Sequence, residues 1–188
     1  MPSLQNDFLP LLKGYTREYS VFIETGTYEG DTIFAMEPYF DTLYTIELKE
    51  AFYRSVKAKY NGTKINFLLG DSAVVLGDVL PIIKQPSIFF LDGHWSSGDT
   101  AKGLKDCPLI EELTLINTLL TESAIIIIDD CRLFGKGPSN GNCNEDWTNI
   151  SEMNIVNCVK ERLTDMYYVD STHAKDDRMI LHIRALTK

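Results

Sequence analysis

An α/β fold built on a doubly wound, mostly parallel sheet is expected for this chain, and three observations predict it. Short apolar runs rich in β-branched and aromatic residues alternate with segments of helical periodicity. The last two runs lie too close together to be joined by a crossover helix, so they pair antiparallel. The first run ends in a glycine-bearing turn, where sheets of this kind meet their ligands.

The chain offers five strands in sequence: SVFIE (20–24), LYTIE (43–47), KINFLL (64–69), SIFFLD (87–92) and AIIIID (124–129). Each is short and almost wholly apolar, the mark of a strand covered on both faces. Residues 1–19 include Phe8, Leu9, Leu11, Leu12 and Tyr15 and read as a short N-terminal lid or an edge segment. Ser72 is placed to cap a helix whose face carries Leu76, Val79, Leu80 and Ile83. Leu109, Leu113, Ile116 and Leu120 share one side of a second helix, with Pro108 in its first turn. Residues 135–146 are Gly/Asn-rich, and 133–148 read as an excursion loop. A helix over roughly 149–163 follows, with Met153, Val156, Val159 or Lys160, and Leu163 near one side. MYYVD (166–170) and RMILHIRAL (178–186) close the sheet as an antiparallel hairpin. The expected organisation is therefore one domain over 1–188, five βα units ending in a hairpin, with right-handed crossovers.

Composition narrows the function. The 188 residues include 27 Asp plus Glu against 18 Lys plus Arg, a formal charge of −9. A binder of the nucleic-acid backbone draws affinity from clustered positive charge, so nucleic acid is not an expected partner. Cys107, Cys131, Cys143 and Cys158 form no C-x-x-C pair, and free thiols in a cytoplasmic setting are expected. The start MPSLQNDFLP lacks a secretory pattern, and the apolar run at 124–130 is too short to span a bilayer, so no membrane insertion is expected.

The turn after the first strand reads E-T-G-T-Y-E-G, from Glu24 through Gly26 to Gly30. A dinucleotide fingerprint needs glycines where Tyr28 and Asp31 stand, which argues against a nicotinamide oxidoreductase. Glu24, Glu29 and Asp31 would repel a pyrophosphate but suit a cofactor bearing an ammonium or sulfonium. Glu47 ends the second strand, where a carboxylate can accept two hydrogen bonds from a ribose diol. After the third strand, Asp71 can accept from an exocyclic amine, unless it or Ser72 serves only as a cap.

In this order these motifs resemble a class I S-adenosylmethionine-dependent methyltransferase. Leu91-Asp92 at the end of the fourth strand and the terminal hairpin add to the likeness, which covers about residues 20–186. The resemblance implies a Rossmann-like doubly wound seven-stranded sheet of order 3-2-1-4-5-7-6 with strand 7 antiparallel. It implies S-adenosyl-L-methionine as cofactor, with Glu24, Gly26, Thr27 and Gly30 around its methionyl part. Glu47 then takes the ribose, Asp71 and Ser72 the adenine, and Asp92 borders the same pocket.

A second acidic cluster follows. The fourth strand ends in Asp92-Gly93-His94-Trp95 and the fifth in Asp129-Asp130, and the topology makes the two tips neighbours. Three carboxylates so placed repel one another unless protonated, dispersed or bridged by a hard cation. The trio Asp92, Asp129 and Asp130 resembles the ligand positions of the divalent-metal-dependent O-methyltransferases of catechol and macrolide-sugar type. This resemblance implies Mg2+ or Mn2+, which would lower the pKa of a bound hydroxyl. The alternative is a metal-independent enzyme with His94 or Asp92 as the catalytic base. The loop WSSGDTAKG (95–103) offers Trp95, Ser96, Ser97, Asp99 and Lys102 to a substrate, with Phe134 and Trp147 as further stacking surfaces. DGHWSSGDTAKG followed by DCPLIEEL resembles small polysaccharide-associated methyltransferase domains.

The leading expectation is methyl transfer to a hydroxyl of a sugar or glycan; a small phenolic acceptor and a non-catalytic methyltransferase-like scaffold or partner subunit are the alternatives. Self-association through an exposed sheet edge, or attachment to other glycan-modifying domains, completes the partners considered.

Overall fold

The computed structural model describes Leu4, residues 8–140 and residues 143–187; the rest of the N-terminal segment, two residues of the excursion loop and Lys188 lie outside the described residues. Seven strands form one sheet: β1 (Val21–Thr25), β2 (Thr42–Glu47), β3 (Ile65–Leu69), β4 (Ser87–Leu91), β5 (Ala124–Ile128), β6 (Leu163–Val169) and β7 (Arg178–Ile183). Their order is β3-β2-β1-β4-β5-β7-β6, the Rossmann-like order of the methyltransferase fold. The first five strands run parallel, and β7 lies antiparallel between β5 and β6.

Alternation along the central strands builds the two layers. Val21 and Ile23 of β1 point into the cluster shared with α3 (Ser72–Val79), α4 (Leu109–Leu119) and α5 (Glu152–Val159). Phe22 points the other way, onto Ile33 and Met36 of α1 (Asp31–Met36) and onto the N-terminal residues Leu4, Phe8, Leu9 and Leu12. Burial on both faces explains why these strands read as unbroken apolar runs. The described part of 1–19 packs under the sheet toward the β6 edge, where the Lys13 amide donates to the Tyr167 hydroxyl at 2.9 Å. A further helix, α2 (Glu50–Ala58), follows β2. No helix among the described residues is long and apolar enough to cross a membrane.

Three local details differ from the sequence expectation. Asp71, not Ser72, caps α3, its carboxylate accepting from the Ala73 amide at 3.0 Å. Ser72 is the first helical residue and is buried. Helix α5 stops at Val159 instead of running to 163, its buried face is Ile155 and Val159, and Met153 is exposed. The cause is Arg162, whose guanidinium is held by main-chain carbonyls and turns the chain directly into β6. Leu163 therefore begins a strand instead of ending a helix, and β7 ends at Ile183.

Candidate active site

The chain order reverses between β1 and β4, and a cavity of about 460 Å³ opens beside their C-terminal ends. Gly26, Thr27, Glu47, Asp71, Ser72, Asp92 and His94 contribute to its wall. This is where a doubly wound sheet places its ligand, because the crossovers leave that crevice uncovered.

One half of the cavity is built by β1 and β2. Gly26 has a φ of +84°, and a Cβ there would collide with the main-chain carbonyl of Asp92. Only glycine lets the β1 turn lie flat against the β4 turn. Gly30 has the same backbone conformation at the N-terminus of α1, but it faces Val56 of α2 and does not reach the cavity wall. The Glu24 carboxyl is buried and accepts from Thr45 Oγ1 at 2.7 Å, and Thr45 in turn meets Thr27 Oγ1. Burial pushes the Glu24 pKa well above the usual carboxylate range, the Thr45 bond opposing it. Glu47 is fixed at both oxygens: Oε2 accepts from the Tyr28 amide at 2.8 Å and Oε1 from the Lys49 amide at 2.7 Å. Each oxygen keeps a lone pair for a ligand.

The other half is an ionic relay. His94 Nδ1 faces Asp92 Oδ1 at 3.4 Å, and His94 Nε2 faces Asp130 Oδ2 at 3.2 Å. Asp130 sits at φ 62° and ψ 35°, a left-handed conformation that is costly for a non-glycine residue and that directs its side chain at the imidazole. Behind the relay, Arg132 Nη1 pairs with Asp130 and, at 2.5 Å, with Asp177 Oδ2. Arg178 Nε pairs with Asp129 Oδ1 at 3.1 Å. Trp147 is buried with its ring edge-on to His94, centroids 4.7 Å apart, so it supports the imidazole and does not offer a stacking face to substrate.

Burial raises the Asp92 pKa to about 8; His94 opposes the rise, and Asp129 and Asp130 add to it. Burial also pulls the His94 imidazole down, but its hydrogen bond to Asp130 and the charges of Asp92 and Asp130 outweigh that, leaving it above the ordinary histidine value. Asp130 is held low because His94 and Arg132 overcome its desolvation. Burial raises Asp129 against the pull of Arg178. Both ring nitrogens of His94 face carboxylates, so the imidazole bridges Asp92 and Asp130 at the cavity wall. Asp92 borders the cavity, and among the described residues its second oxygen, Oδ2, has no hydrogen-bond partner.

The trio Asp92, Asp129 and Asp130 does not converge on one point. Among the described residues, the groups within reach of a single ion are Asp92 with His94 and Asp130, and Asp129 with Asp130 and Asp177. In the second group two guanidiniums already stand among the carboxylates. In the first, the imidazole occupies the space between the two acids. A divalent cation in the second group would have to displace guanidinium pairs already in place, and in the first it would have to break both contacts of the imidazole, so this donor set is a poor fit for resident Mg2+ or Mn2+.

The loop after β4 closes over the cavity. Trp95, Ser96, Ser97, Asp99 and Thr100 line it. Lys49 bonds to the Asp99 carbonyl and carboxylate, and Ser97 Oγ donates to Glu145 at 3.1 Å. Lys102 turns away, pairing with Asp106 at 2.7 Å and lying 4.5 Å above the Trp95 ring.

Sequence reasoning missed Arg132, Asp177 and Arg178. The signal for Arg178 was present: Ile128 pairs with Met179 in the antiparallel register, which sets the next residue on each strand, Asp129 and Arg178, side by side. That register was not readable before the hairpin was placed.

No family model matches this sequence, and no curated protein matches it. Solved structures do match in fold. An O-methyltransferase from Bacillus cereus in complex with SAH superposes with a TM-score of 0.62 at 11% identity, over 89% of this chain and 76% of that one. N-methyltransferase NodS from Bradyrhizobium japonicum WM9, in complex with S-adenosyl-L-homocysteine, gives 0.56 at 10% identity over 89% and 79%. The fibrillarin/Nop5p complex gives 0.59 at 13% identity over 95% and 79%.

Proposed function

We propose that this protein is an S-adenosylmethionine-dependent methyltransferase that acts on a hydroxyl of an uncharged sugar or glycan and uses a side-chain base instead of a metal. The observation that carries this reading is the pairing, in one cavity, of a carboxylate-rich half and the Asp92–His94–Asp130 relay.

The residues present fit the cofactor. Acidic side chains at Glu24, Glu47, Asp71 and Asp92 offer hydrogen-bonding oxygens to the cofactor's amine and hydroxyl groups, and the flat turn at Gly26 leaves room for it. Glu47 would hold the ribose hydroxyls, with its two backbone bonds fixing its orientation. Asp71 and Ser72 would border the adenine, and Glu24 and Thr27 the methionyl end. When bound, the cofactor supplies an electrophilic methyl carbon on a positively charged sulfur.

The chain's own part is to position the acceptor, exclude water and remove a proton. Asp92 Oδ2 takes the acceptor proton, and its pKa of about 8 suits a base near neutral pH. His94 holds Asp92 in place and, through Nε2, shares the resulting charge with Asp130. Ser96, Ser97 and Thr100 offer hydroxyls, and Trp95 an aromatic wall, to a polyol. The acidic wall disfavours a phosphorylated or carboxylated acceptor.

Titration calorimetry with S-adenosylmethionine, with and without EDTA, tests the reading. Stoichiometric binding that EDTA leaves unchanged is expected. No binding overturns the cofactor assignment, and turnover of a neutral glycan that EDTA abolishes restores the divalent-ion mechanism. Turnover of a small phenol in preference to glycans overturns the acceptor class.

A further inference from the structure

A second cavity, of about 910 Å³, lies beside the first, between the chain leading into α4, the excursion loop and α5. The two share a wall. Lys105 lines both, and the amide of Trp95, on the first cavity, donates to the carbonyl of Asp106, on the second, at 2.7 Å.

The chemistry of the second cavity is different. Four asparagines line it: Asn144 in the excursion loop, Asn149 just beyond it, and Asn154 and Asn157, which are neighbours on one face of α5. Asparagine is a poor helix former, so helix propensity does not explain two of them on one exposed face. The side chains of Asn144, Asn149 and Asn157 make no hydrogen bond among the described residues. Asn154 uses only its amide nitrogen, which donates to the Asn149 carbonyl at 2.8 Å. The charged groups, in contrast, have partners: Lys102 meets Asp106 at 2.7 Å, Lys105 meets Glu111, and Asp146 accepts from Thr148. A groove with both lysines paired and with open amides, each able to donate and to accept, suits an uncharged polyhydroxyl ligand better than a phosphate or a carboxylate.

The first cavity, at about 460 Å³, has the volume of one small-molecule ligand, so a bound cofactor leaves room for the reacting sugar unit and little more. We propose that the second cavity seats the sugar units next to the reacting one, so that the acceptor is a neutral glycan chain and not a free monosaccharide or a small phenol. This rests on the reading of the first cavity as a methyltransferase site with a sugar acceptor. A peptide strand fits the groove less well: its described lining comes from helices and loops, with no sheet edge to pair with a main chain.

Methyl transfer from radiolabelled S-adenosylmethionine to a panel of neutral glycans, from single sugars to hexamers, tests the proposal in the full-length protein and in Asn149→Ala/Asn157→Ala. Both side chains are exposed, so the double variant is expected to fold and to bind S-adenosylmethionine as the parent does. The parent should show kcat/KM about tenfold higher for a chain than for its single sugar, and the double variant should lose that gain through KM, the effect of two hydrogen-bonding amides. Its kcat, and its KM for the single sugar, should stay unchanged. NMR gives a readout without turnover: with S-adenosylhomocysteine present, the chain should shift the side-chain amide resonances of Asn149 and Asn157, assigned by their loss in the variant, and the single sugar should not. Equal kcat/KM for chain and single sugar, or an unchanged KM in the variant, overturns the proposal, as does transfer to a peptide in preference to every glycan. If S-adenosylmethionine binds but no glycan is methylated or shifts these resonances, the proposal falls and the cofactor assignment stands. Absence of cofactor binding overturns the methyltransferase reading and the proposal with it.

Discussion

Arg162 and the relay around His94 mark opposite ends of the sheet, and they solve the cost of buried charge in opposite ways. Arg162 is 2% exposed at the end where the parallel strands begin. It donates to five carbonyls: Ile116, Asn117, Leu120, Glu122 and Arg184, at 2.7–3.2 Å. Three of these belong to the C-terminal turn of α4, where unpaired carbonyls and the negative end of the helix dipole favour a cation. A planar guanidinium fills that role with every contact directional. At the other end, Asp92, Asp129, Asp130 and Asp177 crowd around His94, Arg132 and Arg178, and nearby Thr25 Oγ1 and Glu112 Oε1 have no hydrogen-bond partner among the described residues. In the first, Nε, Nη1 and Nη2 of a permanently charged guanidinium all donate to carbonyls; the second retains groups whose protonation can change. Buried acids and an imidazole whose charge can change, gathered at a strand-end cavity, are what a reactive site needs.

On that contrast, the largest effect on folding belongs to Arg162. Arg162→Met should cost about 3–5 kcal/mol of stability, because it strands several buried carbonyls at once; denaturant unfolding measures this. In contrast, Asp92→Asn should leave the fold intact and lower turnover by about 10²–10⁴-fold, the usual range for losing a general base. A stability loss in Asp92→Asn comparable to that of Arg162→Met would break the comparison.

Glu112→Gln sharpens it through pH. A buried carboxyl whose pKa rises from an ordinary value to about 7 binds its proton more tightly when folded. Its native state is therefore penalised progressively as pH climbs from about 4.5 to 7, by up to roughly 3 kcal/mol. The Gln variant should gain little melting temperature at pH 4 and visibly more at pH 8. Equal gains at both pH values would mean the acid carries no such shift. Glu47→Ala should weaken S-adenosylmethionine binding by about 10–100-fold, the effect of losing hydrogen bonds to a charged acceptor, with small change in unfolding free energy. Lys102→Ala should matter least: its exposed pair with Asp106 is worth about 0–1 kcal/mol, and Lys102 does not line the cavity. Turnover of the parent protein should rise with pH through about 8 as Asp92 ionises. A flat profile across that range would remove Asp92 as the base.

Periodicity alone laid out much of the molecule. Continuous apolar runs are local signals, and burial on both faces leaves strands such as AIIII no other pattern to show. The missing crossover between the last two strands dictated an antiparallel pair, and strand-end position singled out Gly26, Glu47, Asp71 and Asp92. Local reading failed where a single long-range contact overrode propensity. The apolar spacing past Val159 suits a helix, but carbonyls from α4 and from the chain beyond β7 hold Arg162 and turn the segment into β6.

The division is clearest at the acidic cluster. That acids stand at the tips of β4 and β5 follows from the sequence, because strand ends and topology put them there. Which cation meets each acid does not: Arg178 reaches Asp129 through the β5–β7 register, Arg132 joins Asp130 to Asp177 across the hairpin, and the left-handed backbone at Asp130 aims it at His94. Charge compensation depends on distances of a few ångströms between residues about fifty positions apart, and on the burial that raises Asp92 and lowers Asp130. Only the packed sheet sets those distances, so the sequence determined where the acids gather and the tertiary structure decided what neutralises them.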